Sequence, residues 1–148
     1  MTRVYLDTSA YNRPLDDQAQ SKIFLESQAV AIILQMIEAQ DIELVSSSVL
    51  DYENSRNPYP LKQAAMSRYL QLANFRQEVN DAIRQRAEEL EHNGVKALDA
   101  LHVACAEVAN CDFLVTCDKR LVNRCAALSL QVINPVDFVL ETSSDGSS

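Results

Sequence analysis

The stretch KALDALHVACAEVANCDFLVTCD, residues 96–118, decides the fold. Its first half repeats Leu98, Leu101, Val103, Ala104 and Val108 at helical spacing. Its second half, Asp112-Phe113-Leu114-Val115-Thr116, is a short apolar run that stops at Cys117-Asp118. A helix that feeds a brief buried strand ending on a carboxylate is the repeating unit of a parallel α/β sheet.

The same grammar recurs in both directions from that stretch. Arg3-Val4-Tyr5-Leu6 reads as a buried strand ending in the polar loop Asp7-Thr8-Ser9. Asp16-Asp17 is placed to cap a long helix over residues 19–40, which carries Ile23, Phe24, Ala29, Val30, Ile33, Leu34 and Ile37 at helical spacing. Ile42-Glu43-Leu44-Val45 is a second strand, and Ser46-Ser47-Ser48 caps a helix through Glu53 that Asn57-Pro58-Tyr59-Pro60 breaks. Residues 61–72 read as helix, 75–79 as a strand or a linker, and 80–91 as a helix closed by Asn93-Gly94. Beyond Asp118 the reading continues as a helix over 119–128, the strand Gln131-Val132-Ile133 and a short final helix over 135–140. The expected architecture is a three-layer α/β/α sandwich with a short, mostly parallel central sheet. One domain spans residues 1–141, and 142–148 is a disordered polar tail.

Composition agrees with this reading. The chain has 148 residues, of which 47% are hydrophobic and 23% charged, enough for one compact core. Only 2 glycines and 4 prolines argue against a turn-rich β-sandwich. No apolar run approaches a bilayer span and the N-terminus lacks a signal-peptide pattern, so a soluble cytoplasmic protein with no membrane partner is expected. Cys105, Cys111, Cys117 and Cys125 have spacings unlike zinc modules and read as reduced, partly buried thiols. A formal charge of −8 opposes non-specific duplex binding, yet an acidic site that gathers cations reverses its own local field.

In open parallel sheets, functional groups collect at the carboxyl ends of strands. Asp7 and Asp118 each close a strand, Glu53 lies in the helix after the second strand, and Asp99 opens the helix at residue 97. One such acid is ordinarily a helix cap or turn residue. Four converging on one sheet edge must instead be neutralised by protons or metal, and hard oxygen donors suit Mg²⁺ or Mn²⁺ better than zinc.

These pieces carry a resemblance. Val4-Tyr5-Leu6-Asp7-Thr8-Ser9, the run from Ser46 through Asp51-Tyr52-Glu53, Lys96-Ala97-Leu98-Asp99-Ala100-Leu101-His102-Val103-Ala104, and Phe113-Leu114-Val115-Thr116-Cys117-Asp118 together resemble PIN-domain proteins, the nuclease fold that includes many bacterial toxin ribonucleases. The loop Tyr11-Asn12-Arg13-Pro14 resembles a subgroup of that family. The resemblance implies that Asp7, Glu53, Asp99 and Asp118 are catalytic and line one metal site for Mg²⁺ or Mn²⁺, with Asp51 the rival to Glu53. It implies a metal-dependent endoribonuclease hydrolysing RNA phosphodiesters, the toxin of a toxin-antitoxin pair, with an antitoxin protein and a second copy of itself as partners.

Thr8 or Ser9 and Thr116 are hydroxyls beside the acids, with Ser9 and Thr116 the candidates to orient water, or simply helix caps. Arg13, Lys119 and Arg120 are candidate phosphate ligands. His102 lies one turn after Asp99 and reads as a packing histidine bonded within the domain. The alternative function is a catalytically silent PIN-like module that binds RNA or protein. A dehalogenase-type phosphatase would want a second Asp where Ser9 stands, and a receiver domain would place its acceptor on a middle strand, whereas Asp7 ends the first.

Overall fold

The computed structural model describes residues 1–144. Five strands, β1 (Arg3–Leu6), β2 (Glu43–Ser47), β3 (Phe75–Gln77), β4 (Phe113–Val115) and β5 (Gln131–Ile133), form one all-parallel sheet in the order β3-β2-β1-β4-β5. Helices α1 (Thr8–Asn12), α2 (Ser21–Glu38), α3 (Ser48–Ser55), α4 (Pro60–Leu70), α5 (Asp81–His92), α6 (Ala97–Val108), α7 (Lys119–Arg124) and α8 (Pro135–Ser144) flank it.

The central strands carry apolar runs because both their faces are covered: Val4, Tyr5, Leu6, Leu44, Val45, Leu114 and Val115 are all buried. From β1 the chain moves outward to β3, then returns across the sheet to β4 and β5. Right-handed crossovers therefore put α1 to α4 over one face and α5 to α7 over the other. Helix α8 comes back to pack on α2, and its Phe138 meets Phe113 edge-on at 5.0 Å between ring centroids.

The three layers follow the expectation, and the sheet is parallel in every pairing. Local differences have local causes. The loop expected after β1 is instead the short helix α1, because the Asp7 carboxylate accepts the Ala10 N–H at 3.1 Å and caps it. The start of α2 owes nothing to Asp16-Asp17: Asp16 accepts from Arg13 and Lys62, and Asp17 bonds only the Ala19 N–H. Segment 75–79 resolves into β3, whose edge position and exposure explain its weak strand pattern. Helix α7 stops at Arg124, short of 128. Helix α8 runs past 141 to Ser144, with the Thr142 hydroxyl donating to the Phe138 carbonyl at 2.9 Å. The rest of the expected tail, 145–148, lies outside the described residues.

All four cysteines are free thiols, and burial pushes Cys105 up to about 11 and Cys117 up to about 12, so neither is a nucleophile at neutral pH. No helix among the described residues is long and apolar enough to cross a membrane.

Candidate active site

The sheet changes direction between β1 and β4, and the loops leaving these neighbouring strands part to opposite faces, which opens a crevice at their carboxyl ends. The two loops are stitched together. The Asp7 N–H donates to the Val115 carbonyl at 3.2 Å, and the Cys117 N–H donates to Ser9 Oγ at 3.1 Å. Ser9 Oγ in turn donates to Asp7 Oδ1 at 2.6 Å and stands 3.4 Å from Thr116 Oγ1.

Asp7 is only 4% exposed. Burial pushes its carboxyl above the ordinary range, and the Ser9 and Thr116 hydroxyls, the charge of His102 and the Ala10 N–H recover only part of that cost. Asp99, in the first turn of α6, is also raised, by burial and then by the charge of Asp7, with Asp118 and Glu53 adding to it and His102 opposing. Asp7, Glu53 and Asp118, the other three acids that the sequence singled out, are therefore all within electrostatic reach of Asp99. Asp118 caps α7, accepting the Arg120 N–H at 2.9 Å.

Glu53 behaves differently. Burial pushes it up, but hydrogen bonds from His102 Nε2 and from Thr8 Oγ1 at 3.0 Å outweigh burial and hold it below the ordinary range. His102 is 2% exposed, and its other nitrogen, Nδ1, lies 2.6 Å from the Tyr5 hydroxyl, which lies 2.6 Å from Ser47 Oγ. Ser47 caps α3, the helix that carries Glu53, through the Leu50 N–H. His102 is thus a packing histidine bonded within the domain, as expected, but its partner is one of the four acids. Tyr5 was not visible as a contributor, because a residue in an apolar strand carries no signal of what it touches. Asp51, the rival acid, faces Arg76 at 2.8 Å on the exposed side of α3.

The Arg13 guanidinium lies against buried Glu26 at 2.9 Å and Asp16 at 3.0 Å, which ties the segment after α1 to α2, and it also stands beside Cys117 in the loop that leads to Asp118. Lys119 and Arg120 are exposed beside Asp118.

Among the described residues neither Asp7, Asp99 nor Asp118 has a lysine or arginine within ion-pair distance. No three His, Cys, Asp or Glu side chains among these residues close into a metal cage, since Glu53 is turned to His102 and Asp118 to backbone N–H groups. The chemistry of the donors still fits a hard divalent cation: carboxylate oxygens, one of them deeply buried, with no lysine or arginine among the described residues paired to Asp7, Asp99 or Asp118.

A parallel α/β domain with an acid-lined crevice at its switch point is the class of protein that this geometry defines. The PIN-domain family model matches residues 4–127, and the chain belongs to that family. It is 32% identical over 141 residues to Ribonuclease VapC35 of Mycobacterium tuberculosis, covering 89% of this chain and 96% of that protein. The crystal structure of VapBC2 from Rickettsia felis bound to a DNA fragment from their promoter contains a chain that superposes with a TM-score of 0.62. The match covers 90% of this chain and 98% of that one, at 16% identity. PAE2754 from Pyrobaculum aerophilum superposes with a TM-score of 0.54 over 97% of this chain and 90% of that chain, at 17% identity. Both structural likenesses are likenesses of fold.

Proposed function

We propose that this chain is a divalent-metal-dependent endoribonuclease of the toxin type. The observation that carries the reading is the convergence of Asp7, Glu53, Asp99 and Asp118 at the switch point, with negative charge left uncompensated by lysine or arginine. Its likeness to Ribonuclease VapC35 over nearly the whole chain supports it.

In this reading those four acids hold Mg²⁺ or Mn²⁺. A bound ion supplies Lewis acidity, making water a competent nucleophile and offsetting charge on the phosphate. The protein does the rest. Ser9 and Thr116 keep the Asp7 carboxylate aimed into the crevice, and Thr8 with His102 fixes the rotamer of Glu53. Lys119 and Arg120 attract the RNA backbone. An antitoxin protein, self-association and a cytoplasmic site of action belong to the same reading, the first supported by the VapBC2 neighbour being a complex.

The test is cleavage of structured and unstructured RNA by the purified chain with Mg²⁺, Mn²⁺ or a chelator, with Asp7→Asn as control. Cleavage that needs the metal and is lost in the variant is expected. RNA binding without cleavage in either metal would return the chain to a non-cutting binding module.

The choice of second acid has its own check. Glu53→Gln is expected to cost at least about tenfold in cleavage rate, because losing even an outer partner of a metal ligand typically costs 10- to 100-fold and Glu53 is read as a ligand itself. Asp51→Asn should stay within about threefold, since Asp51 only meets Arg76 at the exposed surface, where an ion pair contributes little. Parallel rate measurements on the two variants decide it, and the opposite ranking would make Asp51 the ligand.

A further inference from the structure

Next to the acids, where α5 ends and α6 begins, lies a cleft whose lining includes Gly94, Lys96, Asp99, Asp118, Arg120 and Arg124. Three of these side chains are cationic and two belong to the acid cluster. The chain as a whole carries −8, and seven of its 13 lysines and arginines are neutralised locally: Arg3, Arg13, Lys22, Lys62, Arg76, Arg84 and Arg86 each sit against a carboxylate. Among the described residues Lys96, Arg120 and Arg124 do not, and neither does Lys119 beside them. Arg56, stacked on the Tyr52 ring, and Arg68 on α4 are the other cations without a carboxylate partner.

Lys96, Arg120 and Arg124 are exposed, so no strong ion pair holds them to Asp99 and Asp118 and their charge stays available to a ligand. They share the cleft without pairing. Arg124 also lies against Gly94. Gly94 has φ +96°, and a Cβ there would come within 2.1 Å of Arg124 Nη1 and 3.2 Å of its Cζ. The guanidinium lies on bare backbone that only glycine leaves open.

We infer that Lys96, Arg120 and Arg124 form a subsite for a backbone phosphate of single-stranded polynucleotide, on a nucleotide flanking the one at the acids. This deepens the nuclease reading and rests on it. A guanidinium fork and an ammonium converging on one cleft match a phosphodiester, which accepts from several donors at once. The subsite also answers how so acidic a chain retains RNA: attraction is concentrated beside the acids, where strand and catalytic groups must meet.

The experiment measures binding of a fluorescent 12-nucleotide single-stranded RNA to the full chain by anisotropy, in chelator so that the probe survives, across a salt series. The double variant Lys96→Gln/Arg124→Gln is expected to weaken binding by about tenfold and to flatten the slope of log K against log salt by about 1.4, two cations at roughly 0.7 each. Arg68→Gln should change neither. Arg124→Lys, which keeps the charge but not the fork, should recover the slope and only part of the affinity. An unchanged slope and affinity in the double variant, or no binding by the unmodified chain at low salt, overturns the inference. Cleavage in Mn²⁺ is measured on the same preparations. A chain that cuts while the double variant binds normally loses the subsite and keeps the nuclease reading; a chain that binds through these residues but never cuts does the reverse.

Discussion

Asp99→Asn is expected to lower the metal-supported rate of RNA cleavage by about a hundredfold or more while leaving the far-UV spectrum unchanged. Asp99 sits in the first turn of α6 and is partly buried, and the charges of Asp7, Asp118 and Glu53 all bear on it. It is thus the acid most central to the cluster. Removing its charge weakens the hold on a cation whose Lewis acidity is worth several kcal/mol in the transition state, and each 1.36 kcal/mol is a factor of ten in rate. Asparagine keeps the shape, so no cavity opens in the core beneath. Single-turnover cleavage assays in Mn²⁺, with circular dichroism on the same samples, check both halves. A variant that folds and cuts at the unmodified rate would remove Asp99 from the site and, with it, the reason for gathering four acids.

The fold was legible wherever burial on both faces forced a continuous apolar run. Val4-Tyr5-Leu6, Leu44-Val45 and Leu114-Val115 are central strands for that reason. It was least legible at the edges, where Phe75–Gln77 is half covered and its side chains answer to solvent as much as to the sheet. Helix α1 escaped notice because five residues are too few to show a period. Its existence depends on a capping contact from Asp7, and the same residue type also marks loops.

The acids were legible because topology does the gathering: residues that end β1 and β4 must lie side by side once those strands pair. What holds them was not. The Arg13 to Glu26 contact joins residues on different elements, and nothing in the Tyr11-Asn12-Arg13-Pro14 loop reports a buried glutamate on the long helix that follows. His102 reads as a packing histidine because four carboxylates already suffice for the site, and its hydrogen bond to Glu53 depends on where α3 lies, which the apolar pattern of α6 does not encode.

The charge cluster leaves a signature in stability that is separate from catalysis. Asp7 and Asp99 both have carboxyls raised by burial, so the folded chain holds those protons more tightly than the unfolded chain does. Their contribution to stability is present below the unfolded carboxylate pKa of about 4 and is lost as pH rises through the folded values. Glu53, held low by His102 and Thr8, contributes in the opposite sense: its share is present above that range and is lost as pH falls through its folded value. At neutral pH and without metal, the chain therefore carries a penalty from Asp7 and Asp99. Asp7→Asn removes the buried charge while retaining a side chain able to accept the Ala10 N–H, since asparagine caps helices as well as aspartate. In chelator at pH 7 the variant should melt at the same temperature as the unmodified chain or higher. Adding Mn²⁺ at about a hundred times its dissociation constant stabilises the unmodified chain by about 2.7 kcal/mol, or about 5 to 10 °C for a domain of this size. The variant, short of one ligand, should gain less than half of that. Four melting curves at fixed pH and salt give the answer. Equal gains in both proteins would place Asp7 outside any metal site, because a ligand cannot be deleted without the cation registering its loss in the folded state.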